Sequence, residues 1–187
     1  MPATAGNLSF RGETEDLIRI TASGRDKGRL SDLDFLDYSL SSRSALDSHS
    51  NLRPSAETII HSTLYQLDSS IGAILHVHTL SSCVLDFGLS RDNPKLDVSI
   101  PNLEILKAFG DFREEPDHSF LSVYNFGNVE SIAEVMRVAY SQNPPQVPFF
   151  LIQNHGITVW GKDVESANKH LEAVDFVLKV MERRKNL

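Results

Sequence analysis

The run Gly72-Ala-Ile-Leu-His-Val-His-Thr79 constrains this chain more than any other. Its apolar, β-branched character from Ile71 to Val77 predicts a buried strand. Side chains on a strand repeat every two residues, so His76 and His78 share one face. Buried imidazoles need partners, and two on one face need two sets of them. A metal ion meets both needs at once, because imidazole is the commonest protein ligand for zinc-like ions. Two structural, hydrogen-bonded core histidines are the alternative. A third histidine, His155, lies in Gln153-Asn-His-Gly-Ile157 and falls in a tight turn between two predicted strands. Two ligands on a stiff strand and one on a distant turn leave an open coordination position, as catalytic metals require. His49, His61, His118 and His170 lack such a setting. His61 lies one helical turn after Glu57, so a local contact between them is expected.

The remaining pattern alternates strands and helices. Asn7-Leu-Ser-Phe-Arg11 and Asp16-Leu-Ile-Arg-Ile-Thr21 read as a hairpin, followed by the polar turn Ser23 to Gly28. Ser41 to Arg53 is polar and precedes Pro54, so it reads as a loop. Ser55 to Leu67 has helical spacing at Ile59, Ile60, Thr63, Leu64 and Leu67. A second helix opens at Ser81, a third covers Asn102 to Phe109, and a fourth covers Val129 to Tyr140. Pro148 to Gln153 and Ile157 to Trp160 are strands joined by Asn154-His155-Gly156. Asp163 caps a long terminal helix with Val164, Ala167, Leu171, Val174, Leu178 and Met181 on its apolar stripe. Hairpins mixed with helices point to a layered α/β domain with a mixed or antiparallel sheet, rather than a doubly wound one.

A chain of 187 residues is long enough for one domain with a sizeable core. The net charge of -7 opposes nucleic-acid binding, which needs a basic face. A small phosphate ester can still be held by a local cluster. Cys83 is the one cysteine, so no intramolecular disulfide forms, which suits a reducing compartment. No apolar run approaches the roughly 20 residues that cross a bilayer, and no signal segment is visible. A cytoplasmic protein without a membrane partner is expected.

Two acids compete for a catalytic role. Glu57 and Glu104 each lie early in a predicted helix, where a negative charge is also simply favourable. Candidate anion-binding groups lie in Gly6-Asn7-Leu8-Ser9, in Ser23-Gly24-Arg25-Asp26-Lys27 and at the start of the Ser55 helix. Backbone N–H groups at such places bind anions without a full positive charge. Each segment also has the composition of an ordinary turn.

Gly6 to Ser9, Ser23-Gly24, Pro54-Ser-Ala-Glu57, His76-x-His78 and Asn154-His-Gly156, in that order, resemble the class II aldolase/adducin family. The resemblance spans nearly the whole chain. It implies an α/β, class II aldolase-like, three-layer domain over residues 1–187, with a mixed, largely antiparallel central sheet flanked by helices. It further implies a homotetramer with one divalent metal per subunit, usually Zn2+, held by His76, His78 and His155. Thr21 to Lys27, Arg53 to Thr58, Leu75 to Thr79, Glu104 to Gly110 and Asn154 to Lys162 are most similar to a branch that dehydrates a methylthio-substituted ketose 1-phosphate. In that branch Glu104 is implied to be the acid/base. Asn7, Ser23, Gly24 and Ser55 are implied to hold the substrate phosphate, with Lys27 nearby. Glu57 instead matches the catalytic or metal-linked glutamate of the sugar-phosphate aldolases, which cleave a ketose 1-phosphate by a retro-aldol step. An adducin-like interaction domain without catalysis is the remaining alternative. The family places a helix before Gly-Asn-Leu-Ser, which here begins at residue 6, so that helix is expected to be missing.

Overall fold

The computed structural model describes residues 6–46 and 52–185; His49 lies outside them. Among the described residues one sheet of nine strands carries the fold. Its order begins with β4 (Ser44–Ala45), β3 (Phe35–Ser39), β2 (Leu17–Thr21), β1 (Asn7–Arg11) and β5 (Ala73–Val77). It continues with β9 (Gly156–Gly161), β8 (Phe149–Ile152), β7 (Ser119–Val123) and β6 (Lys95–Ser99). Every neighbouring pair is antiparallel except β7 with β8. That parallel pair is joined through α3 (Val129–Gln142), the crossover that parallel strands need.

Side-chain alternation gives the sheet two faces, and helices cover both. Ile74, Phe150, Ile152 and Trp160 pack in one cluster with α1 (Thr58–Leu67) and α3. Phe149, Leu151, Ile157 and Val159 point the other way, against Val174, Val177 and Leu178 of α4 (Val164–Lys185). Ala73 and Leu75 meet Ala167 on that second side. The result is the expected α/β arrangement of a mixed, largely antiparallel sheet between helical layers.

Helix ends follow their caps. Thr79 Oγ1 accepts from the Ser82 backbone N–H at 3.2 Å and opens α2 (Leu80–Val84). Asp163 Oδ1 accepts from the Ser166 N–H at 2.7 Å and opens α4. Ser81 Oγ donates to Glu182 Oε2 at 2.8 Å and ties α2 to α4.

The structure departs from the sequence reading in several places. β3, β4, β6 and β7 lie where no strand is predicted. β6 is a sheet edge on which Val98 alone is buried, so it carries no apolar run to read. The segment expected as a helix from Asn102 is a 3-10 turn over Glu104–Phe109. The helix expected from Ser55 begins at Thr58, because Pro54 forms a bridge to Ala22 beside the sheet.

Phe150 has no exposed surface and faces the Tyr140 ring edge-on at 6.4 Å. Phe150→Ala is expected to cost about 3–5 kcal/mol of stability, the range for removing a buried phenyl ring. Urea unfolding followed by the fluorescence of Trp160, the chain's one tryptophan, measures it.

Candidate metal centre

β5 delivers His76 on the face that Ile74 presents to α1, and His78 follows two residues later, just past the strand. Glu57 caps α1 on the same side of the sheet. His155 comes from the turn between β8 and β9, where Asn154 takes a left-handed φ of 57°. Asparagine tolerates that conformation better than most residues. One ligand atom from each of Glu57, His76, His78 and His155 lies within 4.8 Å of the others.

The rings present edges to one another, with centroids 4.6 to 5.1 Å apart and planes crossed at 77° to 83°. His76 Nε2 and His78 Nε2 are 3.0 Å apart. Glu57 Oε1 lies 2.9 Å from His155 Nε2 and 3.4 Å from His76 Nε2. The outer nitrogens are held from behind. His76 Nδ1 meets Thr158 Oγ1 at 3.0 Å, and Thr158 is its register partner on β9. His155 Nδ1 meets Asn125 Oδ1 at 3.3 Å. With its proton on Nδ1, facing that amide oxygen, His155 would turn an Nε2 lone pair inward; with a proton on Nε2 it donates to Glu57. A lone pair facing a carboxylate at this distance repels it unless a cation or proton lies between them. Three imidazole nitrogens and one carboxylate therefore fit a divalent cation of the zinc type, a donor set several such ions accept.

Gly156 makes the approach possible. A Cβ there would stand 2.6 Å from the Val77 carbonyl oxygen and 2.7 Å from His78 Cδ2. Cys83, on α2, donates its thiol to the His155 carbonyl oxygen at 3.1 Å and pins the same turn.

The electrostatics follow from burial and charge. Burial opposes charge on Glu57, but hydrogen bonds from His155 and His76, reinforced by their charge, hold its carboxyl well below the usual range. Burial, then the charges of His76 and His155, push His78 down to about 4. His61 is wholly buried, and this pushes it down to about 3. Its Nδ1 meets Ser9 Oγ at 2.7 Å instead of making the side-chain contact with Glu57 that its spacing suggests.

The expected anion-binding residues gather beside this cluster. Asn7 Nδ2 donates to Glu57 Oε2 at 2.5 Å and to Ser55 Oγ at 3.3 Å. The Ser23 N–H donates to the Arg53 carbonyl at 2.9 Å, which sets Ser23-Gly24 beside the approach to Ser55. Ser23, Gly24, Arg25, Leu52, Arg53 and Pro54 line a cavity of about 420 Å³. Lys27 Nζ donates to the Arg25 carbonyl at 2.7 Å. Burial lowers the Lys27 pKa, while the charges of Asp34, Asp26 and Glu57 act in the opposite direction.

Glu104 lies elsewhere in the local geometry. Its side chain is 85% exposed and accepts from Lys107 Nζ at 2.6 Å, and it is not among the groups gathered with the histidines. Thr158 and Asn125 were not singled out by sequence, and Cys83 was noted only as the chain's one cysteine. Thr158 was recoverable in principle, because antiparallel pairing of the two predicted strands places it opposite His76. Asn125 carries no local signal.

The family described as Class II Aldolase and Adducin N-terminal domain matches residues 1–181. A methylthioribulose-1-phosphate dehydratase of Leptospira biflexa serovar Patoc is 48% identical over 186 residues, covering 98% of this chain and 89% of the relative. A protein of the same name from Leptospira interrogans serovar Lai is 42% identical, covering 97% and 75%. Among solved structures, an L-fuculose 1-phosphate aldolase superposes with a TM-score of 0.75 at 23% identity, covering 100% of this chain and 78% of the aldolase. That last likeness is one of fold.

Two outcomes follow from the geometry. Gly156→Ala drives a methyl group into the Val77 carbonyl and the His78 ring, and should weaken zinc binding on the order of 10–100-fold, as when the groups that orient a ligand are lost. Competition with a chromophoric chelator reads this directly, and unchanged affinity would contradict it. The second outcome concerns acid. His61 binds its proton more weakly folded, at about 3, than unfolded at 6.5, so the unfolded chain takes the proton first. Stability should therefore fall as pH drops from about 6.5 toward 3, with His61 contributing up to ~1.4 kcal/mol per pH unit. Urea midpoints between pH 7 and pH 5 should fall less steeply for His61→Gln.

Proposed function

The chain belongs to the class II aldolase and adducin family, and we propose that it dehydrates 5-methylthioribulose 1-phosphate to 2,3-diketo-5-methylthiopentyl 1-phosphate, a step of methionine salvage. The observation that carries this is the meeting of Glu57, His76, His78 and His155 in a chain 48% identical to a methylthioribulose-1-phosphate dehydratase. The protein is read as a zinc-dependent hydro-lyase, cytoplasmic and homotetrameric, with one metal per subunit. No helix among the described residues is long and apolar enough to cross a membrane.

His76, His78 and His155 would hold the ion, with Glu57 beside them. When bound, the metal supplies Lewis-acid stabilisation for negative charge that develops on the substrate carbonyl oxygen. Thr158 and Asn125 hold the first and third imidazoles in orientation from their Nδ1 sides. Ser23, Gly24 and Ser55 would take the phosphate, with Lys27 adding positive charge and Asn7 steadying Ser55 from behind.

Dehydration takes the proton from C3 and releases the C4 hydroxyl as water; the C3–C4 enol left behind ketonises as its hydroxyl proton moves to C4, so substrate equals diketone plus water. A base that removes a carbon-bound proton works best with a pKa near the working pH. Glu57 is held firmly as a carboxylate by two histidines, so it suits charge balance and metal contact more than proton transfer. The likeness of Glu104–Gly110 to the dehydratase branch is what assigns Glu104 the proton transfers: C3 to its carboxylate, then to the departing hydroxyl.

The specific observation favouring a second reading is that Glu57, not Glu104, stands among the histidines. In retro-aldol cleavage of a ketose 1-phosphate, Glu57 would be the principal acid/base. Paired substitutions separate the two. Glu104→Gln should lower turnover by about 10²–10⁴-fold, the usual contribution of a positioned acid/base, with metal content unchanged. Glu57→Gln should chiefly weaken metal binding. Both proteins are assayed for diketone formation from 5-methylthioribulose 1-phosphate and for bound zinc. The reverse pattern supports the aldolase chemistry, and no diketone from folded, zinc-loaded parent protein sinks the dehydratase assignment.

A further inference from the structure

β1 and α1 meet through a polar seam that touches the proposed centre only at its first rung, Asn7 with Glu57. The seam is periodic. Alternate β1 residues Asn7, Ser9 and Arg11 face α1 residues spaced by one turn: Glu57, His61 and Tyr65. Asn7 Nδ2 donates to Glu57 Oε2. Ser9 Oγ meets His61 Nδ1 at 2.7 Å and Tyr65 Oη at 3.0 Å. Arg11 donates to the Tyr65 carbonyl at 3.0 Å and lies over the Tyr65 ring at 4.8 Å. Two residues of strand advance about 6.8 Å, and four residues of helix about 6.0 Å. The two repeats therefore stay nearly in step for two intervals, and each rung fixes the helix lengthwise on the strand.

The middle rung is the most enclosed. Ser9 and His61 are 0% exposed, and His61 Nε2 has no hydrogen-bond partner. Ser9 Oγ is thus the one side-chain partner of the imidazole among the described residues. The same β1 pairs with β5 so that Asn7 lies opposite His76. β1 consequently references two things at once: His76 through the sheet, and Glu57 through the seam.

We propose that Ser9 and His61, whose side chains make no hydrogen bond to the four residues of the centre, are positioning residues for Glu57. They set the register of α1 on β1, and that register sets where the Glu57 carboxylate stands relative to the imidazoles. The assignment rests on the metal centre proposed above, but it can fail while that centre stands.

Cobalt(II) is the probe, because its visible absorption reports ligand geometry without substrate. Parent protein and Glu57→Gln give the two reference spectra. Ser9→Ala and His61→Gln should each bind cobalt(II) and shift the band away from the parent spectrum, toward that of Glu57→Gln. With zinc bound, both should lower kcat for dehydration about 10-fold or more with KM within about 2-fold, in keeping with the cost of a small misplacement. Tyr65→Phe leaves the Ser9–His61 contact in place and should keep the parent spectrum and a kcat within about 2-fold. His61→Gln keeps the test alive if Ser9→Ala does not fold. Parent spectra and parent kcat in both Ser9→Ala and His61→Gln would overturn the assignment, as would an equally large effect of Tyr65→Phe. A parent protein that binds no cobalt(II) would instead fail the metal centre itself.

Discussion

The centre depends on how closely β5 and β9 approach at one end of their pairing. His76 sits opposite Thr158, and the turn before β9 folds back so that Gly156 passes against Val77 and the His78 ring. This register turns the His76 Nδ1 toward a hydroxyl and its Nε2 toward His78, Glu57 and His155. A one-residue slip would send His76 to the opposite face, among the apolar residues packed on α4. The helices on both faces therefore stabilise a register as well as a core.

Charge organises the site as strongly as shape does. The imidazoles gathered edge-on around one carboxylate lower the proton affinity of His78 and stabilise the carboxylate. Such a donor set suits a divalent cation. In the dehydration proposed above, the electrophile and the base are different groups. The surroundings of the two acids differ: Glu57 lies among the histidines, and Glu104 is open to solvent beside Lys107.

The metal-binding histidine pattern was legible because strand periodicity is local and His76-x-His78 lies within one buried run. The terminal helix was legible for the same reason, through its Asp163 cap and apolar stripe. β6 was not, since an edge strand with one buried residue draws its conformation from pairing with β7 rather than from its own sequence. The companionship of Glu57 with the histidines was also hidden, because nothing near residue 57 says which strand α1 will lie against. Ser9 and His61 illustrate the same limit: each reads as an ordinary polar residue until the fold brings the two together from 52 positions apart.

That distance has a kinetic side. Asn7 meets Glu57 across 50 residues, and His76 meets Thr158 across 82. Contacts so far apart in the chain carry the entropy of large loop closures, and folds dominated by them form slowly. The ligand set cannot exist until the N-terminal hairpin, the central strand and the last hairpin have all docked. Capture of an ion by these four residues would therefore come last in folding, and the bound ion would draw the equilibrium toward the completed fold and away from partly assembled chains.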